Sequence, residues 1–155
     1  MNHISKQLVA ISLASSCAFS ALAHGNGNDD VEDAIEYRQA VFHLVATHFG
    51  HMGDMVKGKK NFDAVEFQYR ANSLDALAKM PLEGFTVPGS DKGETKAKPA
   101  VWEKPELFRE KLTKFQKDSS ALATAAQSGN MDTIKPVFME TAKNCKSCHT
   151  DFKNR

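Results

Sequence analysis

Cysteine is scarce in this chain, three residues in 155, and the scarcity limits what the thiols can be for. A structural zinc site takes four ligands, commonly in two pairs. Cys145 and Cys148 supply one pair, while Cys17 stands alone near the N-terminus. An excess of one charge is also lacking, with 20 basic against 19 acidic side chains and a formal net charge of +1. No basic patch or acidic tail points to nucleic acid, a membrane surface or a highly charged substrate. No run of alternating residues argues for strands, so the βαβ setting of a thioredoxin-like Cys-x-x-Cys is absent as well. No internal repeat is visible, and the apolar stretch 8–22 is too short and too rich in Ser and Ala to span a bilayer.

That stretch reads instead as an export signal. Lys6 gives the short positive region, residues 8–22 the charge-free core, and Ala21-Leu22-Ala23 the small-x-small cleavage site. Cys17 does not make it a lipoprotein signal, because Ala14-Ser15-Ser16 lacks a large aliphatic residue. The predicted division is a signal peptide, 1–23, and one domain, 24–155, of about 132 residues. Removing Lys6 leaves 19 basic and 19 acidic side chains, so the mature protein is near neutral. The predicted location is the periplasm, with no membrane association after the signal is removed.

The most informative string is Cys145-Lys146-Ser147-Cys148-His149, close to the C-terminus. Two thiols three positions apart, followed at once by an imidazole, form the attachment site of a c-type haem. The thiols add across the two vinyl groups on one porphyrin edge, and His149 then lies under the iron as proximal ligand. The predicted cofactor is one covalently attached haem c per chain, with His149 as the metal ligand. Export agrees with this, since thioether formation takes place outside the bacterial cytoplasm.

Four helical segments account for nearly everything else. The first, 31–57, carries Ile35, Phe42, Val45, Phe49 and Met52 at helical spacing, with Arg38 on the same stripe. The second, 63–79, presents Phe67, Leu74 and Leu77 and stops before Pro81. The third, 106–128, presents Phe108, Leu112, Phe115 and Leu122 and ends at Gly129. The fourth starts at the cap-type residues Asp132 or Thr133, places Pro136 in or beside its first turn, and runs into the haem motif. The only long irregular region is 81–105. The fold class expected is all-α, an antiparallel four-helix bundle with a covalently bound c-type haem wedged between helices.

A haem motif at the C-terminus of such a chain resembles the class II cytochromes c, most closely the cytochrome c′ family. Further strings carry the likeness: Tyr37-Arg38-Gln39, His48-Phe49-Gly50-His51-Met52, Val56-Lys57-Gly58, Lys98-Pro99 before Trp102, and Phe152-Lys153. The resemblance covers about 31–153. It implies that an apolar side chain of the first helix covers the distal face of the haem, and the register of the Tyr-Arg-Gln string lands on Phe42. In low-spin members the axial Met lies near the position of Val45, and neither Phe nor Val can donate to iron. The resemblance also implies that Arg38 contacts a haem propionate, that Lys153 lies beside the haem on the proximal side, and that the protein dimerises through its first two helices.

Other ligands fit less well. Met52 is ten residues beyond Phe42, roughly 15 Å along the axis. His43 lies about 100° around the helix, which points it away, and His48 is roughly 9 Å farther along. Met55, Met80, Met131 and Met139 are read as core-filling residues. An open iron under an apolar lid disfavours O₂, which needs a hydrogen-bond donor, and favours NO and CO. The implied function is a non-enzymatic periplasmic haem protein that binds NO and CO, protects against NO, and can cycle between ferric and ferrous iron. The redox partner is not encoded. The competing reading is a six-coordinate electron carrier. A peroxidase-like enzyme would need a distal acid–base group that the stripe of Phe42 and Val45 does not supply.

Overall fold

The computed structural model describes residues 27–154, so the export signal at 1–23, its cleavage site and Cys17 lie outside the described residues. Four long helices carry the architecture: α1 (Gly27–Val56), α2 (Ala64–Leu77), α4 (Pro105–Ala126) and α5 (Met131–Phe152). Between α2 and α4 lie a single 3-10 turn, Glu83–Phe85, and a four-residue helix, α3 (Ala100–Glu103). No strand occurs among the described residues. The expected all-α four-helix bundle is the fold observed.

Each helix forms where its stripe and caps direct. The α1 stripe buries Ile35, Arg38, Val41, Val45, Met52 and Met55. Asp63 caps α2 by accepting from Glu66 N at 3.0 Å, and the helix buries Phe67, Ala71, Leu74 and Leu77. The turn after α4 depends on Gly129, whose φ of 60° lies in the left-handed region that costs an L side chain energy. The cap of α5 is Asn130, which accepts from Asp132 N at 2.8 Å, two or three positions before the residues read from sequence. Pro136 therefore sits inside α5 rather than at its edge, where it removes the one backbone bond to the Asp132 carbonyl.

Packing is uneven along the bundle. One half is filled by Met52, Phe67, Leu74, Leu122, Ile134 and Phe138, all in one buried cluster. Met55 belongs to it as expected, but Met80 and Met139 are exposed rather than core-filling, and Met131 is half-buried. In the other half α1 and α5 face each other across a cavity. Phe49 of α1 stacks on Phe138 of α5, with centroids 4.3 Å apart and planes 8° from parallel, and so closes the cavity off from the packed half.

The segment 83–99 crosses the open side as a strap fastened to both helices. On the α1 side Arg38 donates to Gly84 O at 2.8 Å, Ser90 O at 2.6 Å and Thr95 Oγ1 at 2.9 Å, and Gln39 donates to Glu94 O at 2.8 Å. Gly84 permits this approach, because a Cβ there would lie 2.7 Å from Arg38 Cβ and 2.9 Å from Ala34 O. On the α5 side Lys98 N donates to Phe152 O at 2.9 Å and Asn154 N to Lys96 O at 2.8 Å, an isolated bridge that pairs Ala97 with Lys153.

Candidate haem site

The cavity between α1, α4, α5 and the strap has a volume of about 760 Å³, within the ~300–1,000 Å³ of small-molecule and cofactor sites. The α5 wall presents Cys145, Cys148 and His149, with Phe152 and Lys153 beyond them. Helical spacing explains the grouping. Positions 145, 148, 149 and 152 recur at three and four residues, so one face of α5 carries both thiols and the imidazole. The α1 wall opposite presents Arg38, Phe42, Val45, Ala46 and Phe49. All six residues predicted for the site, Arg38, Phe42, Cys145, Cys148, His149 and Lys153, thus line one cavity.

Aromatic edges hold the walls. Phe42 meets Phe85 of the strap at 6.4 Å, Phe85 meets Phe108 of α4 at 4.8 Å, and Phe108 meets Phe152 at 5.2 Å, each edge-to-face. Trp102 Nε1 donates to Phe85 O at 3.1 Å and fixes that link from behind. Phe42 is half-buried and takes its support from the strap. Sequence reading missed Phe85 and Phe108 as wall residues. Phe85 lies in a stretch without periodicity, and Phe108 carries only the signal of an ordinary core position.

Two placements differ from expectation. His43 was expected to point away from Phe42's face but lines the cavity, because an opening of this width takes in the flank of α1 as well as its centre. Phe115 was expected to be plain core, yet it too lines the cavity. His48 and Met52 do not reach it. Met52 is fully buried in the packed half, and His48 sits edge-on to Tyr69 at 5.9 Å.

The electrostatics match the chemistry of the donor set. Burial, then the nearby Lys153 charge, pulls the His149 pKa below that of an ordinary imidazole, which favours the neutral form that ligates metals. Burial raises the Cys145 thiol and, with Cys145 adding to it, pushes Cys148 up to about 11. Burial thus disfavours the thiolate form that a metal cation would need.

Arg38 is 2% exposed, and burial lowers its pKa, though a guanidinium stays charged. It lies over Phe85 at 4.8 Å and Trp102 at 5.5 Å. Among the described residues no carboxylate stands within ion-pair distance of it. A buried cation without an anion is costly. A planar, largely apolar group bearing carboxylates at one edge would satisfy it, and haem is such a group. The residues present fit haem c.

Known proteins agree. Residues 33–153 match the family described as Cytochrome C′. The cytochrome c′ of Rubrivivax gelatinosus is 42% identical over 124 residues, 79% of this chain and 95% of that one. Among solved structures, cytochrome c prime from Shewanella frigidimarina is 50% identical, with a TM-score of 0.78 over 81% of this chain and 97% of the other. A nitrosyl complex of a cytochrome c prime variant from Alcaligenes xylosoxidans is 33% identical, with a TM-score of 0.75 over 81% and 97%. The chain thus belongs to the cytochrome c′ family, whose members carry covalently bound haem c.

Proposed function

We propose that this protein is a periplasmic haem protein that takes up NO and CO at an iron held by a single protein ligand, and that it acts in NO binding or protection rather than as an enzyme. Bound haem supplies an iron centre with affinity for diatomic gases and a ferric/ferrous couple. Cys145 and Cys148 would hold its vinyl groups, His149 would ligate the iron, Arg38 would receive a propionate, and Lys153 would lie beside it. The observation that carries the reading is the row Phe42, Val45, Ala46 and Phe49 on the α1 wall, none of which can donate to iron. That apolar row also offers no hydrogen bond to O₂, which needs one more than NO or CO does. The nitrosyl complex of the Alcaligenes relative supports NO as the ligand. Export through a signal at 1–23 suits thioether formation, and among the described residues no helix is long and apolar enough to cross a membrane.

One observation favours the second reading, a six-coordinate electron carrier: His43 lies on the cavity wall opposite the α5 ligands. The optical spectrum of the purified holoprotein separates the two. Broad high-spin bands and a shift on adding CO are expected, unchanged by His43→Ala. Sharp low-spin bands that become high-spin in His43→Ala would establish the carrier and make His43 its sixth ligand. His149→Ala is expected to abolish the five-coordinate ferrous spectrum.

Dimerisation through α1 and α2 belongs to the same proposal. Its support is the apolar surface those helices leave open: Leu44 on α1, and Val65 at 80% and Tyr69 at 60% exposure on α2. Val65→Lys should shift the sedimentation coefficient from dimer to monomer with the haem spectrum unaltered.

A further inference from the structure

The strap carries one hydroxyl whose bonding is unbalanced. A threonine hydroxyl has two acceptor lone pairs and one O–H donor. Thr95 Oγ1 accepts from Arg38 Nη2 at 2.9 Å and from Ala97 N at 3.1 Å, which fills both acceptor positions. Its own O–H has no acceptor among the described residues, and Thr95 lines the cavity. The proton is thus left for something inside the cavity that accepts without donating. Arg38, which points its guanidinium at the same oxygen, needs an anion. One group answers both, a carboxylate. Two stretches of the wall are apolar, Phe42, Val45 and Phe49 on one side and Val101, Phe108, Leu112 and Phe115 on the other. A carboxylate therefore belongs at the Arg38–Thr95 end.

We propose that Thr95 donates its hydroxyl proton to a haem propionate beside Arg38, so that the cofactor itself becomes an anchor of the strap and Thr95 a binding residue. This rests on the haem reading above, and it adds a residue from a segment whose sequence gave no sign of a role. The charged and titratable groups that line the cavity are Arg38 and His43 from α1, Glu94 and Lys96 from the strap, and Cys145, Cys148 and His149 from α5 with Lys153 just beyond its end, while α4 contributes none. A hydrogen bond to the ionised carboxylate favours its charged form.

The test uses the holoprotein with Thr95→Val, which keeps the shape and loses the hydroxyl, and Thr95→Ser, which keeps it. The pH at which the reduction midpoint changes slope should rise by about one unit in Thr95→Val, a tenfold change in proton affinity, and stay in place in Thr95→Ser. The propionate bending bands in resonance Raman spectra should move with it. Midpoint profiles and bands that coincide in wild type and Thr95→Val would overturn the proposal. Wild type alone gives a check that survives misfolding of the variant: a nuclear Overhauser contact is expected between the Thr95 methyl and the propionate methylene protons, and its absence also overturns it. A low-spin wild-type spectrum would instead defeat the open-site reading and leave all these measurements readable.

Discussion

The two halves of the bundle use the same residues to opposite ends. In the packed half, Met52, Phe67, Leu74, Leu122 and Ile134 are fully buried against one another. In the hollow half, Phe42, Phe85, Phe108 and Phe152 stand edge to face around open space. Phenylalanine fills in one place and frames in the other. The difference lies in what stands opposite. In the packed half apolar side chains of all four long helices interdigitate. In the hollow half α5 turns two thiols and an imidazole inward, and the strap holds the walls apart by hydrogen bonds at both ends. A cavity of this size is costly for a protein to keep empty, so the hollow half is stable for what it holds.

The largest test of that contrast removes the holding groups. Replacing both Cys145 and Cys148 with Ala should make the haem fully extractable by acid-acetone, while either single change weakens covalent retention. Intact retention in the double variant would end the attachment claim.

A second test compares one phenylalanine from each half. Phe67→Ala should cost about 3–5 kcal/mol in urea unfolding, the range for a fully buried ring, with CO kinetics unchanged. Phe42→Ala should cost less, because Phe42 is only half-buried, but CO association should speed up. A steric barrier of about 2.7 kcal/mol corresponds to roughly a hundredfold in the stopped-flow rate. Equal CO rates in wild type and Phe42→Ala, with haem and fold intact, would show that Phe42 does not cover the iron.

The smallest effect concerns the packed half alone. His48 Nδ1 is buried without a hydrogen-bond partner among the described residues. Burial, then Arg70 and His51, hold its pKa below the ordinary imidazole value. The fold therefore favours the neutral ring. That contribution is complete above the unfolded-state pKa of about 6.5 and is lost as pH falls through the lowered folded value. Urea midpoints should drop between pH 7 and pH 5, and His48→Phe should flatten the drop. An equal slope in both proteins would show that His48 titrates alike in the folded and unfolded states.

Periodicity carried much of this structure in advance. The stripes of α1, α2 and α4 hold because each buried position recurs at three or four residues, and the haem motif is a local string that reads without a fold. What periodicity could not carry were matters of cross-section and of irregular backbone. His43 lies one step off the α1 stripe, and only the width of the cavity brings it in. Met80 and Met139 are apolar by composition yet exposed, since a stripe was never there to bury them. Asn130 displaced Asp132 as the α5 cap because three cap-type residues follow one another closely and only the entry angle of the chain chooses among them. Thr95 and Phe85 lie in the strap, whose path is set by Arg38 and by the end of α5, not by a pattern of its own.

The strap's second fastening has a consequence for how the site comes into being. Lys98 and Lys96 are tied to Phe152 and Asn154, and Phe42 faces His149 from about a hundred residues earlier in the chain. The site is thus assembled from contacts of long sequence separation, the kind that form slowly because distant segments must meet before they stabilise one another. Helices α1, α2 and α4 are local, but the strap's fastening to α5 needs Phe152 and Asn154 in place. The strap can close on α5 only after that helix's final turn has formed, so Cys145 and Cys148 precede in the chain the residues that fasten it.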